Sequence, residues 1–203
     1  MIKVIIFDFG NVVLTNDWNY VDEMKDAEYA DYFGVSIDAL RAGWKANWPD
    51  FFIGKTSEDE FWKGFLDTAG SEKKDIEYAK FLWRKYQKPK DGMLELLRKL
   101  KQNYRLAGLP NIGKEWLDYK RDKYNLDELF EVIVDSGHAG IQKPDIRIYQ
   151  LVIEKMNAEP KECLFIDDKK ENLEPAEKLG MKTILFTGIE NLKKELSSLK
   201  ISF

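Results

Sequence analysis

The chain has a single cysteine, Cys163, which excludes any internal disulfide and any cysteine-based metal cluster. Cys163 falls in an apolar stretch, so core packing is its expected role. Long apolar runs are missing as well. Before Asp8 there is one lysine and a four-residue apolar stretch, too short for a signal peptide or a membrane span, and the expected location is the cytoplasm. Neither sign of charge dominates: 32 basic residues are interspersed with 36 acidic ones for a net charge of −4. No basic face argues for nucleic acid or an anionic membrane, so a small-molecule partner is expected. The oligomeric state is left open, and no repeat or low-complexity segment is visible.

What is present points to an α/β domain. A chain of 203 residues, 44% hydrophobic, can bury a full core plus a modest insert. Strand signals fall near residues 3–8, 105–109, 132–135, 163–167 and 183–186 and alternate with helical patterns, which predicts a doubly wound parallel sheet. Met93, Leu96, Leu97 and Leu100 recur at helical spacing, as do Ile148, Val152 and Met156, and Leu192, Leu196 and Leu199. Between about Asn16 and Lys90 no strand signal appears. Leu40, Trp44 and Trp48 keep one helical face there, and Ser57 with Glu60 makes a capping box ahead of Phe61, Trp62, Phe65 and Leu66. The expected division is therefore a core of 1–15 and 91–203 with a helical insert of 16–90. Trp18, Trp44, Trp48, Trp62 and Trp83 read mostly as the core of that bundle, with one or two facing a cleft.

Three polar clusters sit at the ends of predicted strands, and a fourth opens a helix. Asp8 closes the apolar run Lys3-Val-Ile-Ile-Phe-Asp8 and enters the turn Phe9-Gly10-Asn11-Val12. A strand apolar at nearly every position suits a sheet covered on both faces, where ligands bind beyond the carboxyl ends of the strands. The second strand runs into Pro110-Asn111. Gly140-Ile-Gln-Lys143-Pro-Asp145 opens a helix, and Glu162-Cys-Leu-Phe-Ile-Asp167-Asp168 ends a strand in two carboxylates. This combination resembles the haloacid dehalogenase (HAD) superfamily of hydrolases, over roughly three fifths of the chain. The Lys-Pro-Asp and Ile-Asp-Asp pieces are its specific part.

The resemblance implies a Rossmann-like core with a mobile helical cap inserted after the first strand. It also implies a Mg²⁺-dependent phosphatase of small phosphate monoesters, sugar phosphates among them. Asp8 would be the nucleophile and form an aspartyl-phosphate, and Lys143 would bridge Asp8 and a phosphate oxygen. Asp8, the Gly10 carbonyl, Asp167 and Asp168 would hold Mg²⁺, with Asp168 in direct contact and Asp167 in contact directly or through water. Asn11 and Asn111 would join Lys143 in binding phosphate.

Two positions depart from the family pattern. Gly10 stands where many family phosphatases carry a general acid, and Pro110 stands where the family has a serine or threonine hydroxyl. Both predict slow turnover. Two alternatives follow: a metal-free 2-haloacid dehalogenase, which needs no second carboxylate after Asp8, and a binding protein that kept the fold without the chemistry. His138, the only histidine, reads as a solvated loop residue or a substrate contact. Asp17 and Asp22 are candidates for the missing acid.

Overall fold

The computed structural model describes residues 1–15 and 23–203, with backbone alone for 23–25. Asp17, Trp18 and Asp22 lie outside the described residues. Five parallel strands form one sheet in the order β3-β2-β1-β4-β5, from β1 (Val4–Phe7), β2 (Arg105–Gly108), β3 (Val132–Ile133), β4 (Cys163–Asp167) and β5 (Lys182–Leu185). All five predicted strands are present, and β1 lies at the centre. Its register pairs Phe7 with Gly108 on one side and with Ile166 on the other. The ladder runs one bond further, as the Asp8 amide donates to the Ile166 carbonyl at 2.9 Å and the Leu109 amide to the Phe7 carbonyl at 2.8 Å. Asp8, Pro110 and Asp167 therefore leave the sheet side by side.

Both faces of the sheet are covered, which explains the continuous apolar strands. Alternate side chains go to opposite sides, since strand residues have a period of two. Ile5, Phe7, Leu164 and Ile166 join one core cluster, while Val4, Ile6, Cys163 and Phe165 join the other. The first cluster is closed by α5 (Met93–Leu100), α6 (Lys114–Tyr124) and α10 (Ile189–Ser198), the second by α8 (Ile146–Lys155) and α9 (Lys170–Lys178). Met93, Leu96, Leu97 and Leu100 are all buried, as their spacing predicts. A one-turn helix, α7 (Ser136–Ala139), follows β3.

Between β1 and α5 the chain forms α1 (Glu23–Phe33), α2 (Ile37–Phe52), α3 (Glu58–Thr68) and α4 (Ile76–Lys85). The predicted capping box is formed: the Ser57 hydroxyl accepts from the Glu60 amide and the Glu60 carboxylate accepts from the Ser57 amide. Trp62 and Trp83 are fully buried, Trp44 nearly so, and Trp48 packs half-buried on Phe52 with ring centres 5.3 Å apart.

These helices do not form a separate bundle core. Trp116, on α6, stacks on Trp83 at 4.2 Å and on Trp44 at 5.6 Å, and meets Phe51 edge to face at 4.7 Å. Its indole nitrogen donates to the buried Glu58 carboxylate at 3.0 Å, which also accepts from Trp62 at 3.3 Å and from Arg84 at 2.8 Å. A Cβ at Gly113 would lie 2.3 Å from the Phe51 ring, so only glycine lets α6 begin this close to α2. One aromatic core thus spans the insert and α6. A cap that moves as the resemblance implies would either carry Trp116 with it or part from it, since the rings of the insert enclose that side chain.

Candidate active site

Lys143 is the centre of the site. Its side chain is 1% exposed and its ammonium donates to Asp8 Oδ1 at 2.8 Å and to Asp167 Oδ2 at 2.6 Å. It sits over the Phe165 ring, 5.3 Å from the ring centre. Phe165 is braced edge to face by Tyr149 at 5.5 Å, whose hydroxyl donates to the Asn172 carbonyl at 2.7 Å. Asn172 in turn donates its side-chain amide to both oxygens of Asp167, at 3.0 and 3.1 Å, and the Lys169 amide adds a bond of 2.8 Å. A buried carboxylate needs such partners. Asp167 is fully enclosed by them.

Burial drives the Asp8 carboxyl up to about 7, with the Lys143 ammonium pulling it down and the Asp167 carboxylate pushing it up further. Burial by itself would lower Lys143, but Asp167 and Asp8 outweigh it and hold the ammonium above its ordinary range.

Asp8, Asp167 and Asp168 can each bring an oxygen to within 4.8 Å of the others. Among the described residues, three carboxylates and the Lys143 ammonium that touches two of them leave two negative charges without a contacting counter-charge when all are ionised. A divalent, oxygen-preferring ion such as Mg²⁺ fits that donor set. The two strand-end carboxylates differ in readiness. Asp167 already has four bonds, whereas Asp168 is partly exposed and has one oxygen engaged, by Asn11 Nδ2 at 2.9 Å.

The two asparagines assigned to phosphate need correction in one respect. Asn111 accepts from the Lys143 amide and donates to the Lys143 carbonyl, both at 2.9 Å. Its side chain therefore clamps the lysine's backbone, and only its own backbone N–H is left for an anion. The Asn11 amide is also used at both ends, donating to Asp168 and accepting from Lys90 Nζ at 2.5 Å. Asn11 has a left-handed backbone, φ 60°, a conformation asparagine tolerates, and this turns the chain sharply after Asp8 and Gly10. Pro110 follows β2 beside Asp8 without a hydroxyl, and its carbonyl accepts from the Ser136 amide at 3.2 Å.

His138 lies in α7, after the edge strand β3. Its ring lies 3.0 Å from Asp135 and borders a cavity of about 390 Å³ that Arg121 and Lys155 also line, next to the edge strand β3. Sequence reasoning missed the role of Asn172 as the support of Asp167 and did not single out Lys90 at all. Asn172 had a weak signal, five residues after Asp167 in the helix that follows the strand. Lys90 had none, since 79 positions separate it from Asn11.

A family model described as haloacid dehalogenase-like hydrolase matches residues 2–180. Drimenol cyclase DrtB of Aspergillus calidoustus is 28% identical over 203 residues, covering 98% of this chain, which spans 37% of that relative's length. Flavin mononucleotide hydrolase 1 of Arabidopsis thaliana is 29% identical over 184 residues, 88% of this chain and 74% of the relative. D-ribitol-5-phosphate phosphatase of Bacteroides thetaiotaomicron is 27% identical over 194 residues, 90% and 91% of the two chains. Among solved structures, a HAD family enzyme from Bacteroides thetaiotaomicron in complex with magnesium and inorganic phosphate superposes with a TM-score of 0.72 at 22% identity, covering 91% of this chain and 93% of that one. That likeness is one of fold. With the family model spanning most of the chain and the parallel sheet in place, this protein belongs to the haloacid dehalogenase-like hydrolases and is an enzyme of that class.

Proposed function

We propose that this enzyme hydrolyses small phosphate monoesters, with Asp8 as nucleophile and Mg²⁺ as cofactor. The observation that carries the reading is the Lys143 ammonium seated between Asp8 and Asp167, with Asp168 in the same cluster. Asp8, Asp168 and the Gly10 carbonyl would hold the ion, Asp167 supporting the site directly or through water. The bound ion supplies positive charge beside the transferring phosphoryl group.

The chain's own residues do the rest. Asp8 attacks phosphorus with its free oxygen, forming an O–P bond as the bond to the leaving oxygen breaks, and that oxygen takes its proton from water. A second water attacks the aspartyl-phosphate, releasing inorganic phosphate and regenerating the Asp8 carboxylate. Lys143 stays protonated throughout and neutralises charge on the phosphoryl oxygens as a fixed point charge. Asn111 holds Lys143 in register, and the backbone amides of Asn11 and Asn111 are the neutral donors for phosphate. The relatives' names, a flavin mononucleotide hydrolase and a ribitol-5-phosphate phosphatase, support the phosphate ester of a small polyol or sugar-like chain as substrate.

The metal-free dehalogenase fits less well, because a site without a metal has no use for Asp168 beside Asp8 and Asp167. Phosphate release from a panel of polyol, sugar and flavin phosphates, with Mg²⁺ and with EDTA, tests the proposal. Metal-dependent release that Asp8→Asn abolishes is the expected result. Halide release from 2-chloropropionate in EDTA would replace it with the dehalogenase. Binding of Mg²⁺ and phosphate without turnover of any ester would favour the binding protein, with Gly10 and Pro110 as the cause.

A further inference from the structure

Lys90 lies outside every motif, yet it is fixed in place more firmly than a surface lysine. The chain entering the helical insert and the chain leaving it run antiparallel here: Leu14 bridges Pro89, the Thr15 amide donates to the Lys88 carbonyl at 2.8 Å, and the Lys90 amide donates to the Val13 carbonyl at 3.0 Å. The Thr15 hydroxyl accepts from the Lys88 amide at 3.2 Å. From this zipped pair the Lys90 ammonium reaches Asn11 Oδ1 at 2.5 Å, and Asn11 Nδ2 reaches Asp168 Oδ2 at 2.9 Å.

The chemistry of the three groups allows one direction only. An ammonium can only donate and a carboxylate can only accept, so the amide between them must present its oxygen to Lys90 and its nitrogen to Asp168. A flipped amide would set donor against donor and acceptor against acceptor. Both bonds involve an ionised partner, the stronger kind. We propose that Lys90 is a positioning residue of the metal site: through Asn11 it pins one oxygen of Asp168 and thereby aims the other at Mg²⁺. This inference rests on the Mg²⁺-dependent reading given above.

The sign of the effect separates positioning from simple charge. A cation that only sits near the site repels Mg²⁺, so its removal tightens binding; a cation that orients a ligand strengthens binding, so its removal weakens it. Partners of this kind typically contribute 10- to 100-fold to metal affinity. The test is Mg²⁺ titration by calorimetry on the full chain, for the parent, Lys90→Met, Lys90→Arg, Asn11→Ala and the Lys90→Met/Asn11→Ala pair. Lys90→Met is expected to weaken Mg²⁺ about tenfold, and Lys90→Arg, which keeps charge and donors, to retain most of the affinity. The double variant should bind no more weakly than the poorer single one, since both break one chain of contacts. Unchanged or tighter binding by Lys90→Met overturns the inference and leaves the proposed function standing, as do additive losses in the double variant. A parent that binds no Mg²⁺ overturns both.

Discussion

Replacing Asp8 by asparagine should make the metal-free protein more stable, and increasingly so as pH rises. In the metal-free fold burial pushes the Asp8 carboxyl up from an ordinary 3.8 to about 7, against the pull of the Lys143 ammonium. A group whose pKa is raised on folding contributes its stability in full below its unfolded value and loses it as pH climbs through the folded one. The parent therefore loses stability between about pH 4 and pH 7 on account of Asp8. At ~1.4 kcal/mol for each tenfold change in proton affinity, the full span amounts to about 4 kcal/mol. Asparagine has nearly the same shape, cannot ionise, and leaves Lys143 its bond of 2.6 Å to Asp167. Urea unfolding in EDTA, followed by tryptophan fluorescence, should show the variant's advantage growing by about 3 kcal/mol from pH 5 to pH 8. For a chain of this length that is a gain in Tm of roughly 10 °C at pH 8. Saturating Mg²⁺ should narrow the gap, because a ligand that binds only the folded parent stabilises it by mass action while the variant has lost a metal oxygen. A difference between the two proteins that stays constant from pH 5 to pH 8, or a variant that is the less stable at pH 8, would refute the reasoning.

Lys143→Met should lower kcat by roughly 10²- to 10³-fold, as removal of one preorganised donor does, and should destabilise the metal-free protein at pH 8 by about 3–5 kcal/mol because two buried carboxylates lose their counter-charge; parallel kinetics and urea melts check both. With glycine at position 10, turnover should depend steeply on leaving-group acidity, and a flat profile across aryl, anomeric and primary alkyl phosphates would mean that another residue protonates the leaving oxygen. Trp116→Ala should cost about 3–5 kcal/mol and still give a single unfolding transition; two transitions in the parent would show that the insert and the sheet are not one cooperative unit. Pro110→Ser should raise kcat/KM for phosphate esters about tenfold by restoring a hydroxyl donor to an anionic acceptor, with Tm measured alongside; an equally stable variant that is no faster would mean the missing hydroxyl is not limiting.

Features decided within a few residues of one another are legible in the amino-acid sequence. A strand buried on both faces must be apolar at nearly every position, so residues 4–7 and 163–166 signal a parallel sheet, and Asp8 and Asp167 at their ends mark where it opens. Helical spacing specifies α5, and a serine three residues before a glutamate specifies the start of α3, because capping is decided within one turn of chain.

Only the folded chain decided what each polar group faces. Asn11 and Asn111 look like free phosphate donors in a sequence, yet each has both ends of its amide taken, by partners that no spacing rule connects to it. Which of two adjacent aspartates is sealed and which is open depends on Lys143, 24 positions away, meeting the Lys169 amide and Asn172 of the α9 start on Asp167. Trp116 joins insert to core for the same reason: aromatic rings are alike in a sequence, and only packing determines which domain's core they enter. Local chemistry wrote the strands, caps and strand-end carboxylates, while contacts between residues tens of positions apart set the direction of every hydrogen bond around Lys143.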